Sequence, residues 1–380
     1  MVQLAKFKGT ALFTGRELLP GNMVLILSDK GVVRDIVHET AAGDDIQQVD
    51  GILSPGFINT HCHLELSHMA GVVPEGTGLP AFLTNVMEKR GQQDPAAQEH
   101  AIAIAEKAMW ESGISAVGDI CNGTASLQQK KNSSLYYHSF IECMGFVPAF
   151  AQNRYDFSMG VLEQFREAGL SCSIVPHAPY SVSADLFSLL ATTPENTPVS
   201  IHNQESAAEN SLYRDKTGDF LHFYQHFGMD VSAFQPTGTN SLPAWFSSFK
   251  QPIILVHNTF TQETDIRFTK DNAVQAYWCL CPQANLYIEK QLPDIELLRS
   301  QQCTITLGTD SLASNHQLSI WQEIQVIRKH FPAIPLEEIL QWATLNGAQA
   351  LGISDLYGSF EKGKRPGVVQ IDHIESKRII

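Results

Sequence analysis

The sequence predicts an α/β protein: a (β/α)8 TIM barrel with a small flanking β-sandwich built from both termini. Three observations carry this expectation. Eight apolar runs recur after residue 52, at 52–58, 114–120, 135–143, 172–175, 199–201, 253–256, 276–280 and 303–307. Helix-like segments separate most of them, as right-handed crossovers between parallel strands require. Polar side chains gather directly after the runs, and the carboxyl ends of barrel strands are where such proteins place their sites. Eight strands close into a barrel instead of opening into a sheet.

Taken in order, residues 1–50 hold short alternating runs (11–13, 23–27 and 32–36) punctuated by Gly, Asp and Lys, the pattern of a small antiparallel sheet. The tail 358–371 returns to such runs and pairs with the first fifty residues, since neither piece is large enough to stand alone. Residues 1–54 and 353–380 therefore form the small domain, and 55–352 the barrel. Asp94-Pro95 opens a helix as N-cap and first-turn proline, apolar residues follow at Ile102, Ala105 and Met109, and Gly113 closes it. Pro335 likewise opens a helix over 336–351 that ends at Gly352. The stretch 203–251 is too long for a plain loop and carries Tyr213, Phe220, Phe223, Tyr224 and Trp245, so it folds over the site as a partial lid.

Composition excludes several classes. With 26 basic against 40 acidic residues, a formal charge of −14, the chain lacks the cationic face that nucleic acid demands. No apolar run approaches the roughly 18–20 residues of a transmembrane helix, and Lys6 and Lys8 interrupt the N-terminal apolar residues, so neither a membrane partner nor a signal peptide is expected. Seven cysteines, most of them in apolar stretches, read as reduced thiols of a cytoplasmic protein. The Cys279-x-Cys281 pair sits in an apolar strand without a partner pair and packs as small hydrophobes.

The 14 histidines are the informative count. The first barrel strand ends Asn59-Thr60-His61-Cys62-His63-Leu64-Glu65, where alternation aims His61 and His63 into one space. The fourth run ends at His177, the fifth at His202 with Glu205 three residues on, the sixth at His257 and the eighth at Asp310. A single histidine beside a strand is usually a satisfied core residue. Five of them with two carboxylates at one end of a barrel would be expensive to bury without a metal or a substrate. Ligands delivered by separate strands suit an open catalytic site, whereas closed structural zinc sites favour cysteine-rich local loops.

The segment Pro55-Gly56-Phe57-Ile58-Asn59-Thr60-His61-Cys62-His63-Leu64-Glu65 resembles the first-strand signature of the amidohydrolase superfamily. His202, His257 and Asp310 fall where that family places its remaining site residues, and Gly358–Lys364 resembles its closing-sheet motif. Two-metal members bridge their ions with a lysine at the end of strand four; Val175-Pro176-His177-Ala178-Pro179-Tyr180 has none, so the resemblance implies one divalent metal. His202-x-x-Glu205 resembles the deaminase branch. The segments around His177 and Asp310 are similar to S-adenosylhomocysteine and aminodeoxyfutalosine deaminases, with guanine deaminases and triazine chlorohydrolases nearby. The Pro-Cys-x-x-Cys segment by which cytidine-type zinc deaminases hold their ion is absent, which argues against that other deaminase fold.

The resemblance implies His61, His63, His202 and Asp310 as metal ligands, zinc first, with iron or manganese suited to the same donors. Glu205, His257 and Asp310 become the catalytic groups: Glu205 as proton shuttle, His257 as orienter of water or oxyanion, Asp310 as acceptor of the water's proton. His177, Glu65, His68, Arg154, Arg214 and Asn285 are the substrate-binding candidates, with Ala284 standing before Asn285 where relatives often carry serine. The expected reaction converts an aromatic C–NH2 of an adenine-type nucleoside or related purine to C=O with release of ammonia. A chlorohydrolase or cyclic-amide hydrolase is the alternative, and a non-catalytic binding barrel ranks third. The expected partner is a small molecule, and the family's habit of dimerising is compatible with a homodimer.

Overall fold

The computed structural model describes residues 4–92 and 94–380. Eight parallel strands form the barrel: strand one Phe57–Cys62, two Ile114–Cys121, three Tyr136–Cys143, four Ser171–Pro176, five Val199–Asn203, six Ile253–His257, seven Ala276–Leu280 and eight Thr304–Leu307. They lie in two ladders, four-three-two-one and five-six-seven-eight. Two seams join the ladders. Between strands one and eight, Thr309 N and Asp310 N donate to His61 O at 2.9 and 3.1 Å, and Cys62 bridges Asp310. Between strands four and five, His202 N donates to His177 O at 2.9 Å. Both seams therefore run through the polar strand ends. Strands two and six are buried along their whole length, as the continuous apolar runs require.

The first apolar run needs a correction. Residues 52–58 are two strands, not one: Ile52–Pro55 pairs antiparallel with Val368–Ile371 in the flanking sheet, and Phe57–Cys62 enters the barrel. Gly56 makes the switch possible, since a Cβ there would lie 1.9 Å from Ser115 Oγ and 2.5 Å from Pro366 O. Alternation and continuity cannot reveal a break that only packing imposes.

The terminal segments form two sheets. One orders Ser376–Arg378, Val368–Ile371, Ile52–Pro55, Ala11–Phe13 and Leu18–Pro20; the other orders Val33–His38, Met23–Ser28, Leu4–Lys8 and Gln47–Gln48. Phe7, Leu12, Leu25, Leu27, Leu53 and Val368 share one apolar cluster between them. Of the tail, only residues from Val368 onward are strand. Helix Pro95–Glu111 starts as its sequence predicts, with Asp94 accepting from Ala96 N, and Gly113 follows its end at φ +97°. The helix opened by Pro335 contains one wide π turn at Trp342–Asn346 before it ends at Gly352. The long insertion after strand five folds into helices Ala207–Asp215 and Phe220–His226 and two short turns. Trp245 stacks on Phe187 at 5.9 Å and belongs to the core.

Candidate active site

A pocket of about 280 Å³ opens at the carboxyl ends of the strands, a size at the lower end of small-molecule sites. His63, His177, His202, Glu205, His257 and Asp310 all line it, contributed by the ends of five different runs and the turns that follow. At its floor His63 Nε2 lies 3.2 Å from the Nε2 atoms of both His61 and His202, and 3.2 Å from Asp310 Oδ1. One donor atom each from His61, His202, His257 and Asp310 also lies within 4.8 Å of the other three.

The donor set fits a cation. The Nδ1 of His202 is 2.8 Å from His177 O, which can only accept, so the ring's proton sits on Nδ1 and the Nε2 lone pair faces the other imidazoles. Burial, then the neighbouring rings, holds the His202 pKa well below its usual value, and burial brings His257 to about 3. Burial also opposes charge on His61, but the hydrogen bond and charge of Asp310 raise its pKa overall. Asp310 itself is pushed up by burial and pulled far further down by the imidazoles around it. Imidazoles converging beside an ionised carboxylate are the donors of a single divalent metal site.

Above this floor, Glu205 is buried and its Oε1 lies 3.6 Å from His257 Nε2. Burial, reinforced by the charge of Asp310, raises its pKa well above the carboxylate range. Three strand ends turn through left-handed backbone at non-glycine residues: Gln204 (φ +47°), His257 (+74°) and Asp310 (+57°). Such conformations are costly and persist where the surroundings enforce them, as they do at functional sites.

The substrate-binding candidates separate. His177 and Arg154 line the pocket; His177 Nδ1 lies 2.6 Å from Ser181 Oγ. Glu65, His68 and Asn285 stand behind it. Both carboxylate oxygens of Glu65 accept from Asn122 N at 3.1 Å, and burial pushes the Glu65 pKa up to about 7. His68 bridges Glu65 O and Arg90 O. Asn285 Nδ2 contacts His257 Nδ1 at 3.3 Å and donates to Thr259 Oγ1 at 2.7 Å. The expectation for Arg214 is corrected: it lies on the surface, paired with Asp215, because its place in helix Ala207–Asp215 turns it from the cavity.

Several pocket residues were not anticipated. Glu142 ends strand three with Oε2 accepting from Asn122 Nδ2 at 2.6 Å, and its buried Oε1 has no hydrogen-bond partner. Arg90 Nη1 donates to Asn122 Oδ1 at 3.1 Å. Helix Leu79–Lys89 supplies an apolar wall through Leu79, Phe82, Leu83 and Val86. A carboxylate inside an apolar run was the available signal for Glu142; nothing local marks the helix as a pocket wall.

The chain is similar to several known proteins. An adenosine deaminase from Helicobacter pylori is 28% identical over 325 residues, covering 83% of this chain and 78% of that protein. An aminodeoxyfutalosine deaminase from a Nitratiruptor species is 26% identical over 336 residues, covering 85% and 79%. Among solved structures, the Helicobacter pylori aminofutalosine deaminase in complex with methylthio-coformycin superposes with a TM-score of 0.81 at 24% identity, over 97% of this chain and 93% of that one. The family model described as the amidohydrolase family matches residues 52–376, which span the whole barrel, and the chain belongs to that family.

Proposed function

We propose that the protein is a mononuclear metal-dependent deaminase acting on an adenine-type nucleoside. The observation that carries this is Glu205: a buried carboxyl whose pKa burial pushes well above the carboxylate range, at the wall of a pocket whose floor gathers donor atoms of His61, His63, His202 and Asp310. The similarity to curated adenosine and aminodeoxyfutalosine deaminases supports the same reading.

His61, His63, His202 and Asp310 would hold the ion, and zinc is the proposed metal. When bound, such an ion lowers the pKa of its water to about 7 and so provides hydroxide at neutral pH. The chain's own residues do the rest. Asp310, which the imidazoles keep ionised, accepts the water's proton. Glu205 delivers a proton to the ring nitrogen as the water oxygen adds, then takes the remaining proton of the added oxygen and passes it to the departing amine, so that the carbonyl forms as ammonia leaves and the proton on Asp310 returns to Glu205. With Asn285 donating to Nδ1, the His257 proton sits on Nε2, the nitrogen nearer Glu205, where it orients the attacking oxygen. Beyond the reacting centre, Leu79, Phe82, Val86, Met144 and Phe146 line an apolar arm next to Arg154. Arg154 forms no ion pair among the described residues, and an apolar arm beside an unpaired guanidinium favours a nucleoside whose 5′ substituent is apolar and carries a carboxylate. Phe223 and Tyr224 from the long insertion complete the cover.

The apolar cluster shared by the two terminal sheets supports reading 1–54 and 353–380 as a β-sandwich domain beside a barrel of 55–352. Seven unpaired cysteines support a cytoplasmic setting, and no helix among the described residues is long and apolar enough to cross a membrane. The test is ammonia release from a panel of adenosine, its 5′-alkylthio derivatives, guanine and a chlorotriazine, with chelator-treated and metal-restored protein. Ammonia from a nucleoside, lost with the metal and regained with it, is the expected result. Chloride release alone would establish the chlorohydrolase reading in its place.

A further inference from the structure

The segment Ser206-Ala207-Ala208-Glu209 has the spacing of a helix capping box, in which the third-position glutamate reaches back to the N–H of the cap residue. Only half of that arrangement is present. Ser206 caps helix Ala207–Asp215 by accepting from Glu209 N. The Glu209 carboxylate instead passes over Ser206 and accepts from the two preceding backbone amides, Gln204 N at 2.9 Å on Oε1 and Glu205 N at 3.3 Å on Oε2. Ser241 Oγ, from the far end of the insertion, also donates to Oε1. Glu209 is fully buried, and Gln204 is the residue driven to positive φ.

We propose that Glu209 is a positioning residue for the proton shuttle: its carboxylate fixes the backbone of Gln204 and Glu205 and so sets where the Glu205 side chain meets the substrate. This rests on the reading of Glu205 given above. The geometry fits that role better than a helix cap. Both carboxylate oxygens are spent on the two amides that define the turn out of strand five, and neither goes to the helix. The side chain of Gln204 is held as well, accepting from Thr261 Oγ1 at 2.6 Å. The turn is thus anchored from the insertion on one side and from the loop after strand six on the other. Only the Glu209 contacts reach the amide of Glu205 itself.

The experiment is a double-mutant cycle on the metal-loaded enzyme, with Glu209→Gln, Glu205→Asp and the pair. Glutamine keeps the size but offers one acceptor oxygen where two amides ask for two. We expect Glu209→Gln to lower kcat about 10- to 100-fold with KM and metal content unchanged, in line with the loss of a hydrogen bond to a charged acceptor. The double variant should fall no further than the larger single loss, because residues acting through one another are non-additive. Ser206→Ala, which removes the true helix cap, should lower the melting temperature while leaving kcat in place. Multiplicative losses, or an equal fall in kcat for Ser206→Ala, would show Glu209 to be merely structural and overturn the proposal. A wild-type enzyme that releases no ammonia would overturn the deaminase reading and this inference with it; ammonia release with an additive cycle would overturn the inference alone.

Discussion

Two buried polar clusters share the strand-one and strand-two end of the barrel, and they behave oppositely. In one, Lys130 Nζ lies 2.6 Å from Asp119 Oδ2 and donates to Cys121 Sγ at 2.9 Å and Ser139 Oγ at 3.0 Å, with the rings of Tyr137 and Phe165 close by. Burial works against charge on Lys130, yet Asp119 and Cys121 more than offset it and the ammonium stays charged. This cluster is electrically closed. In the other, three imidazole Nε2 atoms and a carboxylate converge with too few protons to bridge them. A polar cluster that satisfies itself is scaffold; one that presents lone pairs to a common point is built to hold something. Asp119 joins the two, since its Oδ1 accepts from Leu64 N at 2.7 Å, the residue after His63.

Five variants sharpen the contrast. Glu205→Gln should lower the rate of ammonia release by about 10² to 10⁴, while metal content by mass spectrometry and the melting curve stay at wild-type values. Lys130→Met should do the reverse in kind: leaving Asp119 buried and unpaired costs about 3–5 kcal/mol in denaturant unfolding, and adding Asp119→Leu should recover part of it. The next effect concerns pH. Burial raises the Glu323 pKa from 4.5 to about 8, although Gln283 N, Gln283 Nε2 and Asn315 Nδ2 all donate to its carboxylate. A carboxyl that gives up its proton more readily unfolded than folded makes stability fall as pH rises. Between pH 5 and 8 the wild type should lose on the order of 2–4 kcal/mol at this residue. Glu323→Gln should flatten that slope, and an unchanged slope would remove Glu323 as its source. Smallest of all, Arg214→Ala should leave kcat/KM in place and shift stability by less than about 0.5 kcal/mol; a tenfold rise in KM would bring Arg214 back to the substrate.

The strand-end residues were legible because alternation and position along a run fix where a side chain points: His61, His63, His202, His257 and Asp310 needed no knowledge of packing to be brought together. The helix after Asp94 was legible for an equally local reason, its cap. What escaped were features made by contact between distant segments. Asp119 and Glu142 lie inside apolar strands, which marks them as unusual, but their partners Lys130 and Asn122 follow from the fold. Arg214 misled because a cation in a lid-like insertion says nothing about which side of its helix faces the cavity. Glu209 stands three residues after Ser206, the spacing of a capping box, and only the fold shows that its carboxylate goes to the amides of Gln204 and Glu205.

The seam between strands one and eight has a consequence for biosynthesis. His61 and His63 are made early, but the carboxylate that completes their set, and the amides of Thr309 and Asp310 that hold His61 O, are made near the end of translation. A nascent chain halted before residue 310 carries a histidine pair with no anionic partner and an open barrel edge beside it. An ion held by the proposed set of His61, His63, His202 and Asp310 therefore requires a chain whose first and last barrel strands have already met.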